Sequence, residues 1–200
     1  AVLAKMTAAV AKKEGYTLAP DAAELIAMLG DGSYRDALSV LQKVLIQDEN
    51  EKSPSRAVPR EISRTWVEQW TGAPRQEQVH ALIHALAGGE RGKALEAIEK
   101  AAKADADMKL FLELVLEALR ATLLIRYAPE LRAALQGELG ADEFSALEKF
   151  AKENPSTKFG AGGITHATML AFLTAAERIR YAPIPALPLE LAVLELFPEE

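Results

Sequence analysis

The sequence predicts an all-α protein. Ala, Leu, Glu and Lys, which are strong helix formers, are abundant in its 200 residues, and apolar residues recur three and four positions apart along most of the chain. No run of alternating β-branched residues is long enough to predict a strand. Half of the residues are hydrophobic, so the chain has enough apolar surface to build a packed core.

Three short helices are predicted at the N-terminus, each with apolar residues on one face. Glycine ends many helices because it adopts left-handed backbone conformations readily, and proline or serine often begins one. The predicted helices cover about 2–14, from just after Pro20 to Gly30, and from Ser33 onward. Together they predict one small bundle.

A polar stretch, QDENEKSPSRAVPR, follows at residues 47–60 and has no apolar periodicity, which is typical of a linker. Beyond it the same reasoning predicts seven more helices, separated by Gly or Pro signals. They cover about 59–70, 75–87, 90–103, 107–127, 141–153, 163–180 and 187–197. No repeat of fixed length is present, which disfavours a solenoid. We therefore predict a small domain at 1–50, a linker at 51–58 and a larger helical bundle at 59–200.

Composition excludes several classes of function. The net charge of −6 provides no basic surplus for an autonomous binder of nucleic acid or of an anionic membrane. The absence of cysteine excludes disulfides, thiol nucleophiles and thiolate metal sites. We find no signal peptide, and the most apolar segment, LPLELAVLELF, is too short to span a bilayer. A soluble, cytoplasmic protein without a membrane partner is expected.

The start of the chain leads to a further expectation. The chain does not begin with Met, and its first residues already follow a helical pattern. We therefore expect it to be a piece of a longer polypeptide.

The stretch GDGSYRDALSVL at residues 30–41 places a cation in the first turn of a helix. Ser33 and Asp36 have the spacing of a capping box, which makes Ser33 the N-cap and Arg35 the second helical residue. The positive end of the helix dipole opposes a cation there by roughly 0.3–1 kcal/mol. Either Asp31 and Asp36 neutralise the arginine, or Arg35 and the first-turn N–H groups face an anion such as a phosphate.

This stretch resembles the sensor-2 motif of AAA+ clamp-loader ATPases, in particular of the gamma/tau subunits of bacterial DNA polymerase III. In that family a Gly-Ser-x-Arg-Asp-Ala-Leu-Ser sequence opens a helix of the lid domain. The matching residues are Gly32, Ser33, Arg35, Asp36, Ala37, Leu38 and Ser39. The resemblance implies that Arg35 reaches the terminal phosphates of ATP, that Ser33 caps the helix and that Asp36 supports it.

The resemblance covers nearly the whole chain. VLAKMTAAVAKKEGYTLAPDAAELIAML looks like the preceding lid helices, and AVPREISRTWVEQWTGAP is similar to the helix that opens the oligomerising collar domain. YAPIPALPLELAVLEL resembles the helix that closes the collar. The chain departs from the family pattern at Val40, Gln42 and Lys43. The resemblance implies a lid at 1–50, a collar at 59–200, and other clamp-loader subunits as partners through the collar.

The chain lacks the rest of an ATPase site. It has no Gly-x-x-x-x-Gly-Lys-Ser/Thr sequence, no acidic Walker-B strand and no recognisable arginine-finger motif, and GAGGI at 160–164 predicts a loop before a helix. This piece alone is therefore not expected to hydrolyse ATP. ATP, Mg²⁺, the sliding clamp and primed DNA are implied for the parent protein. The alternatives are the lid and helical domain of another AAA+ ATPase, or a stand-alone helical interaction domain.

Other polar and aromatic pairs have ordinary explanations. His80 and His84 are four residues apart, a spacing that can hold zinc, but no third ligand is adjacent, and we interpret them as partly exposed histidines. Trp66 and Trp70 are also four residues apart, and this spacing suits a packed core, stacking on a nucleic-acid base or contact with a partner protein.

Two further helices carry patterns of their own. Glu96 with Lys100, and Glu99 with Lys103, predict ion pairs on a solvated helix face. The C-terminal helix is apolar on nearly every side, which predicts burial in its own core or between subunits.

Overall fold

The computed structural model describes residues 2–50, 60–153 and 163–197, and helices make up most of them. The all-α prediction is confirmed. The α-helices are α1 (Val2–Lys13), α2 (Pro20–Leu29), α3 (Tyr34–Asn50), α4 (Arg64–Thr71), α5 (Gln76–Gly88), α6 (Arg91–Lys103), α7 (Met108–Tyr127), α8 (Arg132–Leu139), α9 (Ala141–Glu153), α10 (His166–Arg178) and α11 (Leu187–Leu196). Short 3₁₀ turns lie at Pro129–Leu131 and Ile179–Tyr181.

Two compact units divide the chain. The first comprises Ala1–Ala73 and Ala134–Glu143, and the second comprises Pro74–Ala133 and Phe144–Glu200. The predicted linker at 51–58 lies outside the described residues, and the domain assignment of 1–50, 51–58 and 59–200 stays a prediction.

The first unit packs α1, α2, α3 and α4 around a small apolar core. Its largest fully buried side chains are Leu25, Ile26, Leu41 and Ile62. A two-stranded parallel sheet joins β1 (Tyr16–Leu18) to β2 (Arg60–Ile62), with Leu18 opposite Ile62. The buried side chains of these two residues place both strands against the core.

The helix predicted at 59–70 begins later than expected. Residues Arg60–Ile62 pair as a strand, and Ser63 caps α4 by accepting a hydrogen bond from the N–H of Trp66 at 3.3 Å. Three residues are too few to show an alternating pattern, so periodicity could not reveal either strand. Helix α8 was also missed, because its eight residues include a glycine and bury one side chain, Leu135.

The second unit surrounds the 20-residue helix α7, which buries apolar side chains along its whole length. Asp107 caps it, with the carboxylate accepting from the N–H groups of Lys109 at 2.9 Å and Leu110 at 3.2 Å. The largest fully buried side chains of this unit are Leu82, Ile83, Leu86, Ile98, Phe111, Leu112, Leu119 and Phe172.

Arg126, near the end of α7, forms hydrogen bonds to two other parts of the second unit, the end of α9 and the segment before α10. Its guanidinium donates to the carbonyl of Ala151 at 3.2 and 3.3 Å and to that of Ile164 at 3.0 Å. These carbonyls lie near the end of α9 and just before α10, so one side chain positions both helices. No helix of the described residues is long and apolar enough to cross a membrane.

Candidate functional site

The turn between α2 and α3 has an unusual backbone. Asp31 and Gly32 are both left-handed, with φ of 44° and 79°. The N–H of Asp31 donates to the carbonyl of Met28 at 2.9 Å, and the N–H of Ser33 donates to that of Gly30 at 2.7 Å. Two consecutive left-handed residues reverse the chain within a few positions and place the start of α3 beside the end of α2.

Gly30 permits close contact between the two helices. A Cβ atom at this position would lie 2.7 Å from the Cβ of Ala37 and 2.9 Å from its backbone nitrogen. Ala37 is itself fully buried and is the fourth residue of α3, at the end of its first turn. The contact between Gly30 and Ala37 therefore fixes where α3 begins.

Ser33 lies at the N-cap of α3. Its Oγ accepts a hydrogen bond from the N–H of Asp36 at 3.3 Å. Because the helix begins at Tyr34, Arg35 is its second residue. The hydroxyl of Ser39 donates to the carbonyl of Arg35 at 2.9 Å, one turn further along.

The Arg35 side chain is exposed at this helix end. Among the described residues, no carboxylate forms an ion pair with its guanidinium. Asp31 and Asp36 remain in the same turn as Arg35, so both interpretations of this arginine, neutralisation by these carboxylates and contact with an anion, stay open. The exposed guanidinium of Arg35 and the first-turn N–H groups of Tyr34 and Arg35 lie at the same helix end, where the helix dipole favours an anion.

The histidine and tryptophan pairs both make contacts between aromatic rings. The rings of His80 and His84 each meet Phe150 edge-on, with centroids 5.9 Å apart in both cases. No group of three or more metal-ligating side chains is found in the described ranges. Trp66 and Trp70 are half-buried and tilted against each other at 5.8 Å, and the indole N–H of Trp66 donates to the carbonyl of Val44 at 3.3 Å.

The predicted ion pairs on α6 are confirmed. The Nζ atom of Lys100 lies 2.7 Å from Oε1 of Glu96, and that of Lys103 lies 2.8 Å from Oε1 of Glu99.

The loop predicted from GAGGI lies largely outside the described residues. Its last two residues precede the N-cap of α10, Thr165.

The C-terminal helix α11 has two different apolar faces. One faces the core of the second unit through Leu189, Ala192 and Val193, which are buried. The other, which we name the α11 stripe, consists of Leu187, Leu191 and Leu194, with exposed fractions of 36%, 43% and 43%. Helix α11 is therefore buried against the core of the second unit on one face, as expected, and exposed on the other.

Helix α10 carries a second exposed apolar surface that the sequence reasoning did not identify. Leu170 and Leu173, the α10 stripe, are 59% and 45% exposed. The opposite face of α10 buries Ala171, Phe172 and Ala175. Sequence spacing alone does not show which of two apolar faces a neighbouring helix covers.

Comparison with known proteins identifies a family. The family model for DNA polymerase III subunits gamma and tau domain III matches residues 62–198. Among solved structures, the chain is similar to the Bacillus subtilis DNA clamp loader delta protein (YqeN), with 18% identity and a TM-score of 0.46. That similarity covers 97% of this chain and 55% of the solved one, so the chain spans about half the length of that relative. No curated protein sequence matches the chain.

Proposed function

The chain belongs to the family of DNA polymerase III gamma and tau subunits, whose domain III matches its residues 62–198, and on this premise we propose that it supplies two parts of a clamp-loader subunit. The first part is a sensor-2 lid that contacts ATP through Arg35. The second is a collar that holds the subunit in its oligomer. The parent protein would couple ATP binding and hydrolysis to loading a sliding clamp on primed DNA.

The match over residues 62–198 is the observation that carries this proposal. It supports the collar directly, because collar and domain III name the same part of these subunits. It supports the lid through continuity, because the Gly-Ser-x-Arg-Asp-Ala-Leu-Ser sequence at 32–39 precedes the matched region as the resemblance to this family implies.

The geometry around Arg35 suits contact with a phosphate held by another domain. A triphosphate would bring several negative charges to a helix start whose guanidinium is exposed. A charge-assisted hydrogen bond of this kind contributes roughly 1.5–3 kcal/mol. The turn Gly30–Ser33 would hold the arginine in place, since its backbone is fixed by the contact with Ala37.

This chain would take no direct part in the bond cleavage. ATP and Mg²⁺ would be held mainly by a nucleotide-binding domain, where the metal ion neutralises phosphate charge during transfer. Arg35 would stabilise the closed conformation, in which the lid contacts the nucleotide. The loss of the terminal phosphate would remove this contact and allow the lid to open.

Nucleotide affinity of the complete subunit tests the role of Arg35. We expect Arg35→Ala to weaken ATP binding by about 10- to 150-fold, which corresponds to the loss of roughly 1.5–3 kcal/mol. The matched control is Lys43→Ala, which removes an exposed cation from the same helix outside its first turn. Equal ATP affinity for wild type and Arg35→Ala would contradict the sensor-2 assignment.

Oligomerisation is the second part of the proposal. We expect the chain to associate with itself or with other clamp-loader subunits in sedimentation velocity experiments. A chain that sediments as a monomer alone and in mixtures with each of those subunits would contradict the collar assignment. The sliding clamp and primed DNA would bind the complete loader, since the net charge of −6 gives this chain no overall basic surplus for DNA.

A further inference from the structure

We propose that Asp31 is a site of spontaneous covalent modification, where isomerisation to isoaspartate alters the turn that positions Arg35. Asp31 and Gly32 form the one Asp-Gly pair of the sequence. In such a pair the aspartate carboxyl reacts readily with the next backbone nitrogen, because glycine has no side chain to shield that nitrogen. The isomerisation is independent of the proposed function, and its effect on ATP binding rests on that function.

The reaction needs only water. The backbone nitrogen of Gly32 attacks Cγ of the Asp31 carboxylic acid, a bond from nitrogen to Cγ replaces the bond from Cγ to the hydroxyl, and the hydroxyl and the amide proton leave as water. A second water molecule then opens the succinimide ring. If the bond from nitrogen to the backbone carbonyl carbon breaks, the chain runs through Cγ as isoaspartate. If the bond from nitrogen to Cγ breaks, aspartate is restored.

The attacking nitrogen is accessible in this turn. Asp31 and Gly32 are both exposed, and a Cβ atom on Gly32 would have no atom within 4 Å. The N–H groups of Asp31 and Ser33 donate to the carbonyls of Met28 and Gly30. In the part of the chain that the structure describes, the N–H of Gly32 donates no hydrogen bond. Its attack on the carboxyl therefore breaks no hydrogen bond of the fold.

Asp105 provides a contrasting turn in the same chain. It is also exposed and left-handed, with a φ of 53° against 44° for Asp31. Its own N–H donates to a carbonyl three residues back, that of Ala102 at 3.2 Å. The next N–H, that of Ala106, donates to the carbonyl of Ala101 at 3.2 Å. The two aspartates therefore share a left-handed φ and differ in whether the attacking nitrogen is hydrogen-bonded.

Isoaspartate lengthens the backbone of the turn by one carbon atom. The hydrogen bond from the N–H of Ser33 to the carbonyl of Gly30, at 2.7 Å, spans Asp31 and Gly32. The added atom lies inside the ring that this hydrogen bond closes, so the short turn no longer fits it. Isomerisation therefore displaces the N-cap and the first turn of α3, which carries Arg35. On the proposed function, the modified lid loses its contact with the phosphate.

The test stores the 200-residue chain in neutral buffer and measures isoaspartate in its tryptic peptides. Trypsin releases residues 14–35, which contain Asp31, and residues 104–109, which contain Asp105. Isomerisation leaves the mass unchanged, so electron-transfer fragmentation locates the isoaspartate, and methylation by isoaspartyl methyltransferase measures its amount. We expect isoaspartate to accumulate at Asp31 and to stay at the level of fresh protein at Asp105. Accumulation at Asp105 as fast as at Asp31 would overturn the inference.

Ala106→Gly provides the matched control for the hydrogen bond. It creates a second Asp-Gly pair, whose nitrogen still donates to the carbonyl of Ala101. In the folded variant, isoaspartate should form about two- to twelvefold faster at Asp31 than at Asp105, the factor that corresponds to one backbone hydrogen bond. In urea the two rates should converge, because the fold then holds neither nitrogen. Equal rates in the folded variant would contradict the role of the free N–H.

Asp31→Asn tests whether the turn permits ring closure. This variant should form the same succinimide with loss of ammonia, and hydrolysis should then convert it to aspartate and isoaspartate with a measurable increase in mass. Circular dichroism checks that the variant remains folded. A folded Asp31→Asn chain that keeps its mass during storage would show that the ring cannot close, and would overturn the inference.

The effect of the modification is measured on the isoaspartate fraction after chromatographic separation. This fraction should unfold at a lower urea concentration than fresh chain, and equal stability would overturn the displacement of α3. In the complete subunit, the same fraction should bind ATP about 10- to 150-fold more weakly. If isoaspartate forms at Asp31 and lowers stability, but neither isoaspartate nor Arg35→Ala weakens ATP binding, the proposed function fails and the modification site stands. If Arg35→Ala weakens ATP binding and no isoaspartate forms, this inference fails and the proposed function stands.

Discussion

Substituting Gly30 by Ala tests whether the contact between α2 and α3 positions the first turn of α3. The added Cβ would lie 2.7 Å from the Cβ of Ala37 and 2.9 Å from its nitrogen, whereas carbon atoms in contact are normally about 3.5–4.0 Å apart. Relieving this overlap costs about 1–3 kcal/mol, and the lower entropy of the unfolded chain offsets about 0.4–1 kcal/mol. We expect a net loss of about 1–2 kcal/mol in the free energy of unfolding.

Tryptophan fluorescence during urea unfolding is the appropriate assay. Both tryptophans of the chain, Trp66 and Trp70, lie in the first unit together with Gly30. Their emission therefore follows the unit in which the contact occurs. The chain with Gly30→Ala should unfold at a lower urea concentration with an unchanged slope.

Two further variants separate overlap from backbone strain. Gly32→Ala places a side chain at a φ of 79° with no atom within 4 Å, so it should lose stability through strain alone. Adding Ala37→Gly removes the nearest atom to the new methyl group, so it should recover part of the loss in Gly30→Ala and none in Gly32→Ala. A Gly30→Ala chain as stable as wild type, or equal effects of Ala37→Gly in both backgrounds, would refute the reasoning.

Three other substitutions test the first and second units. Burial raises the pKa of Asp21, while the N–H of Ala22 and the charge of Arg64 partly oppose the shift. Between pH 3.8 and the folded pKa, the folded state therefore retains a proton that the unfolded state has released, and the free energy of unfolding falls as the pH rises through this range. Asp21→Asn removes the ionisation, so it should raise the urea midpoint at pH 7 more than at pH 3. Ser33→Ala should cost about 0.5–1 kcal/mol in the same assay, because it removes the cap, and Ser33→Thr should restore it. Arg126→Met should lower the stability of the second unit by about 1–3 kcal/mol by leaving two buried carbonyls without their donor; equal thermal unfolding of this variant and wild type would contradict that role.

Periodicity predicted most of the helical structure because helix-forming residues and capping signals are local. The N-cap of α3 is an example, since the spacing of Ser33 and Asp36, which lie within four residues of each other, predicts it. The strand Arg60–Ile62 could not be found in this way, because its pairing with Tyr16–Leu18 joins residues more than forty positions apart. The left-handed conformation of Asp31 could not be predicted from the sequence either, because its φ depends on the packing around the turn.

The local features of the candidate site were predicted from the sequence, and the features that depend on packing were not. Sequence placed Arg35 in the first turn of α3, which is a local property, but it could not decide whether Asp31 or Asp36 would pair with it. The structure forms no such ion pair in the part of the chain that it describes. Exposure of the α10 and α11 stripes was likewise beyond the sequence, because it depends on which faces the rest of the second unit covers.

ATP-dependent clamp loading by a loader that contains the complete subunit tests the central claim most directly. With Arg35→Ala we expect loading to fall at least about tenfold at limiting ATP, since the phosphate contact contributes roughly 1.5–3 kcal/mol. Sedimentation of the loader should be unchanged, because the exposed side chain of Arg35 has no part in the proposed collar contact. Wild-type loading by the Arg35→Ala loader would contradict the account.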